Sequence, residues 1–136
     1  MKAQILIAEE TEQIMATFFG NGKTHEYKLY QMSRHRLGKE TRLRCDLGYW
    51  GLQSTSEKVI LPQKNSKLHR LNKAQKKANR ELAAKRVKIE NVIRRLKIFR
   101  ILSERYRHRR KRFGLRFNLI AGLHNYELNC RSQDFI

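Results

Sequence analysis

The stretch that decides the fold prediction is residues 73–102, KAQKKANRELAAKRVKIENVIRRLKIFRIL. It contains neither glycine nor proline, and it consists mainly of Ala, Leu, Lys, Arg and Glu, which favour a helical backbone. The apolar positions that recur at helical spacing are Leu82, Ile89, Ile93 and Leu96. We therefore predict one long helix with these side chains buried, and with Asn72 as its N-terminal cap.

A second helix is predicted downstream, over residues 113–128. The apolar side chains on one side of it are Phe113, Phe117, Ile120, Ala121 and Leu128. Gly114 and Gly122 oppose this prediction, because glycine disfavours a helix interior. Residues 104–112, between the two helices, are strongly basic and are predicted to be a loop or a helix end.

Short apolar segments upstream of the long helix predict strands. Residues 3–8 and 14–19 predict an antiparallel hairpin, and residues 42–45 and 58–61 predict two further strands. A short helix is predicted over residues 25–34, capped by Thr24.

Strands followed by helices predict an α/β or α+β domain with a small mixed sheet and long C-terminal helices. We expect one domain over residues 1–136, since this length can bury a core. Within it, a sheet portion covers residues 1–61, a basic linker covers 62–72, and a helical portion covers 73–128.

The charge of the chain is concentrated in its second half. The formal net charge is +19; residues 1–61 hold 9 basic and 7 acidic side chains, whereas residues 62–136 hold 22 and 5. A basic block of this size predicts a polyanionic partner, and nucleic acid is the first choice because Lys and Arg displace counterions from phosphates. A membrane partner is not expected, because no apolar run is long enough to span a bilayer.

Two cysteines, Cys45 and Cys130, show no metal-binding or redox spacing. Together with the absence of a recognisable signal peptide, they predict free thiols in a reducing compartment.

Asp46 and Glu90 are the candidate functional acids. Asp46 ends a predicted strand and precedes the glycines of Leu47-Gly48-Tyr49-Trp50-Gly51, so by itself it is typical of a turn-organising aspartate. Glu90 has Arg86 and Arg94 one helical turn away. Surface ion pairs explain such a helix face, and so does a carboxylate metal ligand flanked by cations that contact phosphates.

The order of these motifs resembles a known family. Asp46-x-Gly48-Tyr49-x-Gly51, followed by Arg86-x3-Glu90-x6-Lys97, resembles the second and third catalytic stations of DDE-type transposases of bacterial insertion sequences. Residues 22–29, 79–82, 96–102 and 112–121 are also similar to stretches of that family, in the same order.

The resemblance implies a ribonuclease-H-like catalytic domain that cleaves and transfers DNA strands with two Mg²⁺ or Mn²⁺ ions. It implies that Asp46 and Glu90 are catalytic metal ligands and that Arg86 and Lys97 contact phosphates. Further DNA-binding residues are predicted at Arg94, Arg109, Arg110 and Arg112. For the last three, a phosphate-binding patch is the favoured interpretation and a solvated tail is the alternative.

The family's first catalytic aspartate lies upstream of the strand at residues 3–8. We therefore expect a truncated catalytic domain that binds DNA but does not cut it alone. Its expected partners are transposon-end DNA and one of three proteins: intact transposase, the product of an upstream reading frame, or a second copy of the chain. We expect it in the bacterial cytoplasm, near the nucleoid. Two alternatives stay open: a basic RNA-binding or ribosome-associated protein without enzymatic activity, and a regulatory fragment that occupies transposon ends.

Overall fold

A computed structural model describes residues 1–34, 38–54 and 58–133. The chain divides into two compact units, one formed by Met1–Lys23 with Val87–Ile136 and the other by Thr24–Arg86. The chain is a mixture of strands and helices, and the long helices lie in its C-terminal half. The coarse prediction of a mixed α/β chain is thus confirmed.

The first unit is built on an antiparallel hairpin, as predicted. Strand β1 (Lys2–Ile7) pairs with β2 (Ile14–Gly20), with an irregularity in the register between Leu6 and Ile7. Alternating apolar residues turn one face of the hairpin toward the helices of this unit.

Two long helices are found where the sequence predicts them, with different bounds. Helix α2 covers Lys73–Leu96, so the predicted extension to residue 102 is wrong. The Ile98 N–H donates to the Arg95 carbonyl, and the Phe99 N–H donates to the Leu96 carbonyl. Both bonds join residues three apart, as in a 3-10 helix, and they tighten the end of α2. Phe99 then adopts an extended backbone, and a separate short helix, α3, follows at Arg100–Ser103.

Helix α4 covers Arg110–Gln133 and supplies much of the core of the first unit. The core residues are Ile14, Val92, Leu96, Phe113, Phe117, Ile120 and Ala121. Of the predicted buried positions, Leu96 is buried on α2 while Leu82, Ile89 and Ile93 are half-buried, and Leu128 is half-buried on α4. Val92 is fully buried, although the predicted stripe omitted it.

The second unit begins with α1 (Glu26–Ser33), whose cap is His25 rather than the predicted Thr24. His25 Nδ1 accepts a hydrogen bond from the Tyr27 N–H at 3.3 Å, which satisfies one N-terminal donor of the helix. Strands β3 (Leu43–Arg44) and β4 (Val59–Ile60) pair in parallel. The described residues therefore contain two separate two-stranded sheets, one antiparallel and one parallel, instead of one mixed sheet.

Candidate functional site

Asp46 lies two residues after the end of β3 and immediately before a 3-10 helical segment, Leu47–Ser54. Its backbone carbonyl accepts the Tyr49 N–H at 3.0 Å, and its Oδ1 accepts the Leu47 N–H at 2.7 Å. Asp46 therefore organises the turn that follows the strand, which is the role that its position alone predicted.

The second carboxylate oxygen of Asp46 forms an ion pair with Arg86. The distance from Asp46 Oδ2 to the guanidinium is 2.9 Å, and the two side chains are 55% and 46% exposed. A pair this exposed contributes about 0–1 kcal/mol to stability, because water screens it. The structure thus brings together one predicted metal ligand and one predicted phosphate contact, both within the Thr24–Arg86 unit.

The glycines after Asp46 pack closely against α1. A side chain at Gly51 would place its Cβ 2.8 Å from two ring carbons of Tyr27. A Cβ at Gly48 would overlap the carboxylate of Glu26, so that side chain would have to move. Tyr49 packs edge-on against Tyr30, with ring centroids 6.5 Å apart. Trp50 remains about half exposed. The turn is therefore held on α1 by close contacts, and it keeps Asp46 at the surface.

Cys45, beside Asp46, is a free thiol, and so is Cys130. Burial, and to a lesser extent the negative charge of Asp46, raises the pKa of Cys45 to about 12. The thiol is therefore kept protonated and is a poor metal ligand or nucleophile at neutral pH.

Glu90, Arg94 and Lys97 belong to the other unit. Helix α2 spans the boundary, since its residues 73–86 lie in the second unit and 87–96 in the first. Glu90 and Arg94 are exposed, and Lys97 is exposed just after the helix ends. Their neighbour Arg95 pairs with Glu12 at 2.9 Å, which fixes α2 to the turn of the hairpin.

The basic run before α4 is anchored by an aromatic side chain. The Tyr106 ring packs against Phe113, with centroids 4.9 Å apart, and the Tyr106 hydroxyl donates to the Arg109 carbonyl at 3.2 Å. Arg109, Arg110 and Arg112 are all exposed at the start of α4. The arrangement leaves their guanidinium groups accessible to an anion.

Residues 1–125 match the protein family described as Transposase DDE domain. The chain belongs to that family. It is also 43% identical, over 132 residues, to a probable transposase for insertion sequence element IS702 from Microchaete diplosiphon. That alignment covers 97% of this chain and 48% of the relative, so the chain spans about half of the length of that transposase. No solved structure gives a significant match to the chain.

Membership of the transposase family confirms the family resemblance and disfavours the alternative of an RNA-binding or ribosome-associated protein. The family generally uses divalent metal ions. In the part of this transposase domain that the structure describes, no helix is long and apolar enough to cross a membrane.

A divalent ion fits the described residues incompletely. The carboxylate of Asp46 has the hard oxygen donors that Mg²⁺ and Mn²⁺ prefer, but such ions take about six ligands. Over residues 1–34, 38–54 and 58–133, no group of three or more His, Cys, Asp or Glu side chains could hold a metal ion. Both oxygens of Asp46 are moreover occupied by Leu47 and Arg86.

Proposed function

We propose that this chain is the portion of an insertion-sequence transposase that supplies two catalytic carboxylates and a cationic DNA-binding surface. The observation that carries this proposal is the contact between Asp46 and Arg86 on the surface of the second unit. It joins a carboxylate and a guanidinium from two separate family motifs. Metal-dependent phosphodiester chemistry needs groups of both kinds, one for the cation and one for the phosphate.

In this proposal, Asp46 and Glu90 are metal ligands for Mg²⁺ or Mn²⁺ in a ribonuclease-H-like catalytic domain. The DNA-binding residues are Arg86, Arg94, Lys97, Arg109, Arg110 and Arg112. The support for the cationic set is that each of these side chains is exposed. Their substrate is the phosphate backbone of DNA at transposon ends, and they act by charge and by bidentate hydrogen bonding.

The chain by itself is expected to bind DNA and to cleave it poorly. The family reaction uses three carboxylates, and the motifs assign two of them, Asp46 and Glu90, in this chain. An intact transposase or a second copy of this chain is the proposed protein partner.

The proposal is tested with a chimera in which this chain replaces the matching half of the IS702 transposase relative. We expect Mn²⁺-dependent cleavage of terminal inverted-repeat DNA by the chimera, and a loss of at least about a hundredfold in the Asp46→Asn and Glu90→Gln variants. The matched control is Glu81→Gln, an exposed acid on the same helix as Glu90, which should leave cleavage unchanged. Cleavage that survives in either Asp46→Asn or Glu90→Gln would overturn the assignment.

A further inference from the structure

A second cationic feature contains none of the residues assigned above. The Thr24–Arg86 unit contains a surface cavity of about 440 Å³. It is lined by Asn65, Ser66, Lys67, Arg70, Leu71 and Lys76. Three of these residues are cations and none is acidic. The volume falls within the range of roughly 300–1,000 Å³ that is typical of ligand pockets.

The three cations of this cavity have no acidic partner in the described part of the chain. Among the described residues, ion pairs join for example Arg86 to Asp46, Arg95 to Glu12 and Arg131 to Glu127. Lys67, Arg70 and Lys76 are exposed and take part in none of them. Three like charges around one small space repel each other, and a bound anion relieves that repulsion.

Hydrogen bonds fix the wall of the cavity. The segment that carries Lys67 and Arg70 has no regular secondary structure, yet two hydrogen bonds close it. The Ser66 N–H donates to the His69 carbonyl at 3.1 Å, and the His69 N–H donates to the Ser66 hydroxyl at 3.0 Å. Its upstream end is held by two bonds between the Gln63 backbone and the Asn79 side chain, at 2.8 and 2.9 Å. A binding surface that is already ordered loses less conformational entropy when a ligand arrives.

The cavity ends at a capped helix. The Asn72 side chain accepts the Gln75 N–H at 2.8 Å, and the Gln75 side chain accepts the Asn72 N–H at 2.9 Å. This capping box satisfies donors at the start of α2, so the three side-chain cations, and not the helix end, supply the groups that attract an anion.

We infer that this cavity binds a phosphate of the DNA backbone, with Lys67, Arg70 and Lys76 as its charged contacts. Asn65 and Ser66 add hydrogen-bond donors of the kind that contact phosphate oxygens. The inference rests on the proposed function for the choice of DNA as the polyanion. It adds a site at the start of α2 to the contacts that the family motifs predict.

The test compares two triple variants of the whole chain for affinity to labelled duplex DNA. One is Lys67→Gln with Arg70→Gln and Lys76→Gln. The matched control, Lys73→Gln with Lys77→Gln and Arg80→Gln, removes the same charge from exposed positions of α2 outside the cavity. We expect the cavity variant to bind about tenfold more weakly than the control at moderate salt, with a shallower dependence of affinity on salt.

A second measurement needs no variant and so does not depend on how a variant folds. Acetylation of the unmodified chain, with and without DNA, should show protection of Lys67 and Lys76 but much less of Lys73 and Lys77. In a parallel arm, inorganic phosphate replaces DNA at constant ionic strength. Protection of Lys67 and Lys76 by inorganic phosphate but not by DNA would overturn the assignment of DNA as the ligand. Equal protection of all four lysines would overturn the assignment of the cavity as the binding site.

The outcomes separate this inference from the proposed function. If the unmodified chain binds DNA and the two triple variants lose affinity equally, the cavity is not a specific phosphate site. The proposed function then still stands, because it is measured by cleavage in the chimera. If the unmodified chain binds no DNA, the inference falls together with the DNA-binding role on which it rests.

Discussion

Asp46 has to serve both the turn and the proposed chemistry. One carboxylate oxygen fixes the turn through the Leu47 N–H, and the other faces the Arg86 guanidinium at 2.9 Å. Because both partners of the ion pair are about half exposed, the pair exchanges readily with water and ions. In the proposed function, a divalent cation would compete for Asp46 and a DNA phosphate for Arg86, so each ligand is expected to assist the other by separating the pair.

At Cys45, burial together with the nearby charge of Asp46 raises the pKa of the thiol to about 12. A group whose pKa rises on folding stabilises the folded state fully below its unfolded pKa, here about 8.5, and this stabilisation is lost as the pH rises toward the folded value. The free energy of unfolding should therefore fall between about pH 8.5 and 12, and less steeply in the Cys45→Ala variant than in the unmodified chain.

Urea unfolding at several pH values across that range measures this effect. The Cys130→Ala variant is the control, because it removes the other free thiol. Identical pH slopes for Cys45→Ala and the unmodified chain would contradict the prediction.

Among the elements, α4 is the one whose sequence pattern is least clear. It buries Phe113, Phe117 and Ile120 but also exposes Leu115 and Leu119, so that apolar residues occupy both faces. The Phe19 ring of the hairpin lies edge-on to Phe113 and Phe117, with centroids 5.6 and 5.2 Å away. Helical spacing therefore predicts the helix and its buried side, but the strand that covers that side is far away in sequence and is identified only by the structure.

The two glycines of α4 should respond differently to the same substitution. Replacement of a helical glycine by alanine gains up to about 1 kcal/mol in helix propensity. At Gly122 an added Cβ meets no other atom within 4 Å, so Gly122→Ala should increase the free energy of unfolding by about that amount. At Gly114 the added Cβ would lie 3.1 Å from Phe19 Cδ2, so Gly114→Ala should gain less or destabilise. Urea unfolding of both variants decides this, and an equal gain at both sites would contradict the packing described here.

Helix α2 offers a similar comparison between two valines. Val92 is fully buried in the core of the first unit, whereas Val87 is 48% exposed on the same helix and in the same unit. Val92→Ala removes buried methyl groups and leaves a cavity, so it should cost roughly 2 kcal/mol. Val87→Ala should change stability by less than about 0.5 kcal/mol. Chemical unfolding measures both costs, and a cost at Val87 as large as that at Val92 would show that the core is misassigned.

For the molecule as a whole, the sequence predicts most elements but not how they group. Local apolar patterns are sufficient for β1, β2 and the two long helices, because each pattern lies within one element. The grouping of Met1–Lys23 with Val87–Ile136 depends on contacts between distant segments, which leave no local signal. For the same reason the sequence motif identifies Asp46 and Arg86, but their ion pair emerges only from the structure.

The net charge of the whole molecule should govern its affinity for DNA, and the position of each cation should decide its share. Arg112 and Arg131 lie toward opposite ends of α4, both exposed, but Arg131 is paired with Glu127 at 3.3 Å. A cation that contacts a phosphate releases counterions, so Arg112→Gln should reduce the slope of log affinity against log salt by about 0.9. Arg131→Gln removes the same charge from a residue already engaged by a carboxylate and should reduce the slope much less. Binding titrations over a range of salt concentrations measure both slopes. Equal reductions in the two variants would mean that DNA binding depends on total charge alone, without the defined contact at the start of α4.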